Sequence, residues 1–156
     1  MVAILQDIRS LHNVGSIFRT ADAAGVKRLY LCGITPAPFD RFGKVRPPLA
    51  KVSLGAERYV PWEKVKATSK LLKRLKSDGY KIFAIEQSRK SISYHKLKVQ
   101  SLKLKVALLV GNEVKGLPKT ISAKADKILE IPMHGRKESL NVAVAFGIVA
   151  FHLILN

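Results

Sequence analysis

Cysteine and acidic residues are scarce in this 156-residue sequence, and each scarcity excludes a class of protein. The single cysteine, Cys32, rules out an intramolecular disulfide framework and any zinc site built on several cysteines. Only 11 Asp and Glu oppose 28 Lys and Arg, so the formal net charge is +17. Because 47% of the residues are hydrophobic, this charge does not predict disorder. It predicts a folded domain with a polyanionic partner.

The sequence also lacks an apolar run long enough to cross a bilayer. The longest one, Val142–Leu155, has about 14 residues, whereas a membrane helix needs roughly 17–25. Residues 1–7 show no basic stretch ahead of a small-residue cleavage site, so we see no secretory signal and expect a cytoplasmic protein. Nucleic acid is then the first candidate polyanion. A membrane-surface protein has little support because no amphipathic basic helix dominates the sequence.

Short apolar runs that alternate with helical patterns predict an α/β fold with a parallel sheet. The predicted strands are Val2–Gln6, 28–32, 81–85, Lys105–Val110 and 127–131. The predicted helices are 15–24, 61–77, a short one after Pro118, and 139–155, with a long irregular loop at 34–53. Apolar strands with little polar alternation suit a sheet covered on both faces. No repeat or linker is evident, so we expect one domain over residues 1–156.

Three segments carry polar residues that a plain core does not need, and the first is NVGSIFRT at residues 13–20. The glycine two residues after Asn13 permits a tight turn into a helix whose first N–H groups are unpaired. Arg19 is predicted to lie opposite Ile17 and Ala21 on that helix. It is either a solvated side chain or a bidentate clamp for a phosphate.

The second segment, LVGNEVKGLP at residues 109–118, directly follows the most apolar predicted strand. Ligands of parallel α/β proteins lie just beyond the carboxyl ends of strands, and the two glycines let the backbone approach a ligand closely. The segment matches neither GxxxxGK[ST] nor GxGxxG. Taken alone, it is more typical of a strand–helix connection than of a site.

The third segment is IPMHGRKESLNV at residues 131–142. Ser139 or a neighbour can cap the last helix. Asn141, at the foot of an otherwise apolar helix, needs hydrogen-bond partners from the backbone or from a ligand. Because that helix is apolar on almost every side, more than one of its faces should be covered, which indicates a subunit interface.

In order, spacing and content, the three segments resemble the TrmH/SpoU branch of the SPOUT methyltransferases, which methylate RNA ribose 2′-hydroxyls with S-adenosylmethionine. The shared pattern is N-x-G-x-x-x-R-T, then G-N-E-x-x-G-L, then I-P-M-x-G-x-x-x-S-L-N-V-A-V-A, and the resemblance runs from about residue 2 to residue 155. It implies a parallel-sheet SPOUT fold with a C-terminal deep trefoil knot, a rare exception to the usual topology rules. It also implies an obligate homodimer with the active site near the interface.

The resemblance implies roles for individual residues. The positions that match catalytic residues of the family are Asn13, Arg19, Glu113, Ser139 and Asn141. The positions that match cofactor-binding residues are Ile85, Glu86, Gly111, Asn112, Ile131, Met133 and Leu140. The cofactor, S-adenosylmethionine, is expected among apolar side chains with its adenine held by main-chain groups. No metal is implied, and the four histidines show no metal-ligand spacing.

Arg19 matches a residue for which the family proposal is a general base. Removing the proton of an arginine at neutral pH costs on the order of 8 kcal/mol, so we favour a cationic role. Arg19 would bind the adjacent phosphate, stabilise negative charge on the 2′-oxygen and relay the proton to that phosphate. Ser139 and Asn141 are expected to orient the ribose or Arg19, and Glu113 to hold an arginine in position.

The excess of positive charge is concentrated in residues 64–105, which hold 13 Lys and Arg against two acids. In residues 89–105 the lysines alternate with Tyr94, Leu97 and Leu102. This pattern fits a phosphate-contacting face, or else a solvated loop and edge.

We therefore expect an S-adenosylmethionine-dependent RNA ribose 2′-O-methyltransferase, with tRNA ahead of rRNA as substrate. Since no accessory domain or basic extension is evident, the chain is expected to act as a minimal catalytic module that captures RNA itself. The alternative is a non-catalytic basic RNA-binding module on the same fold. The intact residues of the three motifs argue against that alternative.

Overall fold

The computed structural model describes residues 1–97 and 104–155, and within them seven strands form one parallel sheet. The strands are β1 (Val2–Gln6), β2 (Leu29–Cys32), β3 (Trp62–Val65), β4 (Tyr80–Ile85), β5 (Ile92–Ser93), β6 (Lys105–Val110) and β7 (Lys127–Glu130). The helices are α1 (Leu11–Ala24), α2 (Pro47–Ser53), α3 (Thr68–Ser77), α4 (Lys119–Ser122) and α5 (Val142–Leu155), with short 3-10 turns at Ala56–Arg58 and Tyr94–Lys96. The predicted α/β fold with a parallel sheet is confirmed. The trefoil knot stays a prediction of the resemblance.

The sheet order is β3-β2-β1-β6-β4-β7-β5, with every pair of neighbours parallel. Helices α1, α2 and α5 cover one face, where Leu5, Phe18 and Phe146 are buried together. Helices α3 and α4 cover the other face, where Ile4 and Leu72 are buried. The direction of strand order changes between β1 and β6. Ligand sites of open parallel sheets lie at the carboxyl edge beside such a change.

Helix α1 begins at Leu11, earlier than the predicted start at residue 15. The hydroxyl of Ser10 accepts a hydrogen bond from the Asn13 N–H at 3.2 Å and caps the helix. Gly15 is therefore inside the helix, and the expected turn at this glycine is wrong. A Cβ at Gly15 would lie 2.7 Å from the carbonyl oxygen of Leu49, so the glycine lets α1 pack closely on α2.

The predicted helix at residues 61–77 is wrong in its first part. Trp62 begins a strand whose register pairs it with Leu29 of β2, and the strand extends to Val65. The ring of Trp62 also stacks on Phe39, with ring centroids 6.2 Å apart. Pairing at the sheet edge overrides the local helical pattern, so the helix begins only at Thr68.

Three further differences concern a predicted loop, the start of the last helix and the basic stretch. The loop predicted at residues 34–53 contains α2, which starts with Pro47 and Pro48, where a missing N–H costs no hydrogen bond. Helix α5 begins at Val142 rather than at residue 139. The basic stretch at residues 89–105 includes the short edge strand β5.

In the part of the chain that the structure describes, no helix combines the length and apolar character needed to cross a membrane. The same residues hold no group of three or more His, Cys, Asp or Glu placed to bind a metal ion.

Candidate active site

A pocket opens at the carboxyl edge of the sheet, where β4, β6 and β7 end side by side. All seven predicted cofactor-binding residues line it, namely Ile85, Glu86, Gly111, Asn112, Ile131, Met133 and Leu140. Of the predicted catalytic residues, Glu113 and Ser139 also line the pocket, whereas Asn13, Arg19 and Asn141 lie outside its lining. Residues from three strand ends and from the entry to α5 thus meet in one cleft.

The loop after β6, residues 111–117, forms the wall of the pocket and is organised by Asn112. The backbones of Asn112 and Gly116 exchange two hydrogen bonds, at 3.2 and 3.0 Å. The Asn112 amide oxygen accepts hydrogen bonds from the N–H groups of Val114 and Lys115, both at 2.9 Å. Its amide nitrogen donates to the Asp7 carbonyl at 2.7 Å. The Asn112 side chain is thus occupied in holding the loop on β1.

Glu86, at the end of β4, holds the other end of this loop. One carboxylate oxygen accepts a hydrogen bond from the Leu117 N–H at 2.8 Å, and the other accepts from the Gln87 N–H at 3.2 Å. Gly116 has φ +65°, and a Cβ there would overlap the Glu86 carboxylate. A Cβ at Gly111 would lie 2.7 Å from the Gly116 carbonyl carbon, so both glycines are required by close packing within the wall.

Glu113 joins the pocket loop to the start of α1. Its carboxylate accepts hydrogen bonds from the Arg9 and Ser10 N–H groups, each at 3.1 Å, and from the Asn13 side-chain amide at 3.0 Å. Partial burial raises the pKa of Glu113, but these hydrogen bonds outweigh it and hold the pKa below its ordinary value. Among the described residues no arginine side chain pairs with Glu113, so its partners differ from the expected arginine.

Asn141 extends this network to the last helix. Its amide nitrogen donates to the Asn13 side-chain oxygen at 3.0 Å. Its own oxygen accepts from the N–H groups of Ala143 at 2.9 Å and Val144 at 3.4 Å, and so caps α5. The chain Glu113–Asn13–Asn141 therefore fixes β6, α1 and α5 relative to one another. The expected need of Asn141 for polar partners is confirmed.

Arg19 lies on the exposed side of α1, away from the buried Ile17 and Ala21, as predicted. Within residues 1–97 and 104–155 its guanidinium makes no hydrogen bond or ion pair, which leaves it available to an anion. The adjacent Thr20 faces α5, because a Cβ at Gly147 would lie 3.4 Å from its methyl group. Arg19 is thus placed beside the contact of α1 with α5.

Three residues that position the site were missed at the sequence level. Ser10 caps α1 and donates its N–H to Glu113. Asp7 turns the chain out of β1 with φ +56°, a conformation that aspartate tolerates better than most residues. Gln87 donates to the Ile131 carbonyl at 2.9 Å and joins two strand ends. A serine three residues before Asn13 is a recognisable cap signal, whereas no pattern points to Gln87.

The aromatic and apolar residues of the basic stretch are used for packing. Tyr94 contacts the ring of His152 on α5, with centroids 5.2 Å apart, and Leu97 is buried. Both side chains therefore take part in packing at this edge of the sheet. Leu102 and the rest of residues 98–103 lie outside the described residues.

Lys64 also departs from the expected basic face. Its ammonium group donates to the Gly33 carbonyl at 2.6 Å and to the Thr35 carbonyl. Burial lowers the pKa of Lys64 from its ordinary value. This lysine therefore holds the start of the loop after β2.

An all-parallel sheet with helices on both faces and a pocket at its carboxyl edge defines an open-sheet α/β protein with a candidate ligand site at the strand ends. The sequence also identifies the family. The chain belongs to the SpoU rRNA Methylase family, whose sequence profile matches residues 1–151.

Individual relatives share the fold over most of this chain. A 23S rRNA (guanosine-2′-O-)-methyltransferase of Neisseria meningitidis serogroup B is 34% identical over 149 residues, 96% of this chain and 56% of the relative. The chain thus spans little more than half the length of that relative. An AdoMet-bound rRNA methyltransferase from Sinorhizobium meliloti is 31% identical with a TM-score of 0.83, over 97% of this chain and 54% of the other.

A second similar structure concerns 2-OH methylation of C/U34 on tRNA. It is 29% identical with a TM-score of 0.79, and the match covers 97% of this chain and 91% of that one.

Proposed function

We propose that this protein transfers a methyl group from S-adenosylmethionine to a ribose 2′-hydroxyl of RNA. The observation that carries the proposal is the pocket at the ends of β4, β6 and β7, lined by all seven residues that match the cofactor positions of the family. The hydrogen-bonded chain Glu113–Asn13–Asn141 adds support, because it ties α1, the helix that carries Arg19, to the pocket loop and to α5.

The lining of the pocket fits S-adenosylmethionine. Ile85, Val110 and Ile131 offer an apolar surface for a purine ring, while Glu86 and Glu130 supply negative charge for a cationic ligand. When bound, the cofactor supplies an activated methyl group. The residues of this chain hold it by apolar contact and by the main chain of the loop after β6.

Arg19 is the residue to which we assign the chemistry at the ribose. As a cation on the exposed side of α1, it binds a phosphate next to the target ribose and stabilises negative charge that develops on the 2′-oxygen. The proton of the hydroxyl passes to that phosphate. Asn13 and Asn141 orient α1, and Ser139 lies at the pocket, where it can bind the ribose.

Among RNA classes we propose tRNA as the substrate. The support is the neighbour concerned with C/U34 of tRNA, of which the match covers 91%. The exposed lysines of α3 and of the neighbouring strands supply positive charge for a folded polyanion.

We also infer that two chains form a homodimer through α5. On one side of this helix, Phe146 and Val149 are buried. On its other sides the large apolar side chains of Val144, Phe151 and Ile154 are exposed. Exposed apolar side chains along one helix are typical of an interface between subunits.

The decisive experiment is methyl transfer by the Arg19→Ala variant. We expect the rate on RNA to fall about 10²–10³-fold, the usual loss when one group that stabilises an oxyanion is removed. Cofactor affinity, measured by calorimetry, should stay within about twofold, because Arg19 lies outside the pocket lining. Labelled methyl groups are then mapped to the nucleotide and to the 2′ position.

The matched control is Arg28→Ala, since Arg28 is also exposed but lies before β2, at the amino edge of the sheet. This variant should transfer methyl groups like the wild type. A near-wild-type rate for Arg19→Ala would contradict the assigned role. Absence of cofactor binding by the wild type would instead identify a non-catalytic RNA-binding module.

A further inference from the structure

An exposed aromatic ring in contact with a basic side chain lies in the loop between β2 and α2. Phe42 is 72% exposed, and the guanidinium carbon of Arg41 lies 4.7 Å from its ring centroid. Lys44 and Arg46 follow within four residues. We call residues 40–46 the aromatic tip. It combines the two features that single-stranded RNA sites share, a face for stacking and nearby positive charge.

Local hydrogen bonds hold the aromatic tip as a turn that projects into solvent. One oxygen of the Asp40 carboxylate accepts from the N–H groups of Phe42 at 2.8 Å and Lys44 at 2.9 Å. The Asp40 N–H donates to the Lys44 carbonyl at 2.8 Å, and Gly43 takes φ +75° to close the turn. The backbone therefore fixes Phe42 in solvent rather than letting it collapse onto the protein.

The base of the aromatic tip is anchored to β3 and to adjoining residues of its own loop. Phe39 stacks on Trp62 and forms a backbone bridge with Val45. The Arg46 side chain donates from Nε to the Ala37 carbonyl at 3.1 Å. A rigid support of this kind lowers the conformational entropy that a ligand must remove on binding.

The loop that carries the aromatic tip connects β2 to the helix that packs on α1. This loop leaves the carboxyl end of β2 and passes the start of β3, where Phe39 stacks on Trp62. The loop continues into α2, which packs against α1 at Gly15, four residues before Arg19. Through α2, the aromatic tip is therefore linked to the helix that carries Arg19.

We propose that the aromatic tip binds an unpaired base of the RNA substrate, with Phe42 stacking on the base and Lys44 contacting an adjacent phosphate. This inference rests on the proposed function. The guanidinium of Arg41 lies over one face of the Phe42 ring, so the base stacks on the opposite face. The carboxylate of Asp40 does not oppose it, since that group is engaged by the backbone of the tip.

The test measures binding of the full chain to a single-stranded RNA oligonucleotide. We expect Phe42→Ala to weaken affinity on the order of tenfold, the usual loss for one stacked base, and Phe42→Trp to stay within about twofold. The matched control is Tyr59→Ala, because Tyr59 is 75% exposed but lies outside the aromatic tip, and among the described residues no cation lies over its ring. This control should bind like the wild type.

Salt dependence separates stacking from charge. Phe42→Ala should leave the slope of log affinity against log salt unchanged, whereas Lys44→Gln should reduce it by about 0.7. Equal affinities for Phe42→Ala and wild type would overturn the inference, as would an equal loss in Tyr59→Ala. A change in the oligomeric mass in solution caused by Phe42→Ala would also overturn it. Such a change would show that a second copy of the chain covers the Phe42 ring in the wild type.

The two proposals fail in different ways. If the wild type methylates RNA while Phe42→Ala binds RNA normally, only the stacking role is wrong. If Phe42→Ala weakens binding of an RNA that the wild type cannot methylate, only the proposed reaction is wrong.

Discussion

Two loops at the carboxyl edge of the sheet are held by the same device. After β2, Gly33 has φ +58°, and the N–H of the next residue, Ile34, donates to the Asp7 carboxylate at 2.9 Å. After β6, Gly116 has φ +65°, and the N–H of Leu117 donates to the Glu86 carboxylate at 2.8 Å. In both cases the carboxylate comes from the end of a neighbouring strand, and a Cβ on the glycine would overlap it.

The surroundings of the two carboxylates differ. The second oxygen of Asp7 accepts from the Gln6 amide at 2.6 Å, and Gln6 in turn accepts from the buried Thr68 hydroxyl at 2.6 Å. Within residues 1–97 and 104–155, the second oxygen of Glu86 accepts only from the Gln87 N–H, and Glu86 lines the pocket. The same hydrogen-bonded arrangement therefore gives a rigid loop support at Asp7, where side chains fill the surrounding space. At Glu86, where they do not, it leaves a ligand pocket.

The largest effect should come from alanine at the two glycines. Gly116→Ala places a Cβ against Glu86 at positive φ, so we expect a loss of stability of about 1–3 kcal/mol and a fall in cofactor affinity of more than about tenfold. Gly33→Ala should lose similar stability but keep cofactor affinity, because Gly33 is remote from the pocket lining. Urea denaturation and calorimetry measure the two quantities. Equal losses of affinity in both variants would show that the loops are not independent.

A smaller effect is expected from Glu86→Ala. This change leaves the half-buried Leu117 N–H without its acceptor, which costs about 1–3 kcal/mol, and we expect cofactor affinity to fall about fivefold. Glu86→Gln retains an acceptor oxygen and should recover most of that affinity in the same calorimetric titration. If Glu86→Gln binds the cofactor as weakly as Glu86→Ala, the negative charge of Glu86 determines the affinity and its hydrogen bond to the Leu117 N–H does not.

The smallest effect concerns Glu113, which links the pocket loop to α1. Since hydrogen bonds hold the folded pKa of Glu113 below its ordinary value of 4.5, they stabilise the fold fully above that pH. This stabilisation is lost as pH falls through the lowered folded value. The difference in unfolding free energy between wild type and Glu113→Gln should thus be constant near neutral pH and shrink below about pH 4.5. A difference that grows toward acid would contradict this account.

Local patterns predict the centre of the molecule better than its connections. The bounds of β1 and β6 follow from continuous apolar runs, whereas the residues of the pocket are expected from the resemblance of the three segments to the family. The helix expected at residue 61 is a strand instead, because its pairing with β2 is a long-range contact that no local pattern records. The partners of Glu113 lie about 100 residues away in sequence, so spacing could not identify them.

The pairing of β1 with β6 also bears on the synthesis of the chain. Val2 pairs with Ala107, so the first strand of the sheet remains without its inner neighbour until more than 100 further residues have been made. At about 5–20 residues per second, that interval is roughly 5–20 s. During it the apolar inner edge of β1 is open to other chains, and the nascent protein is most exposed to aggregation or to capture by a chaperone. Release of the last third of the chain therefore completes the sheet and assembles the pocket in the same event.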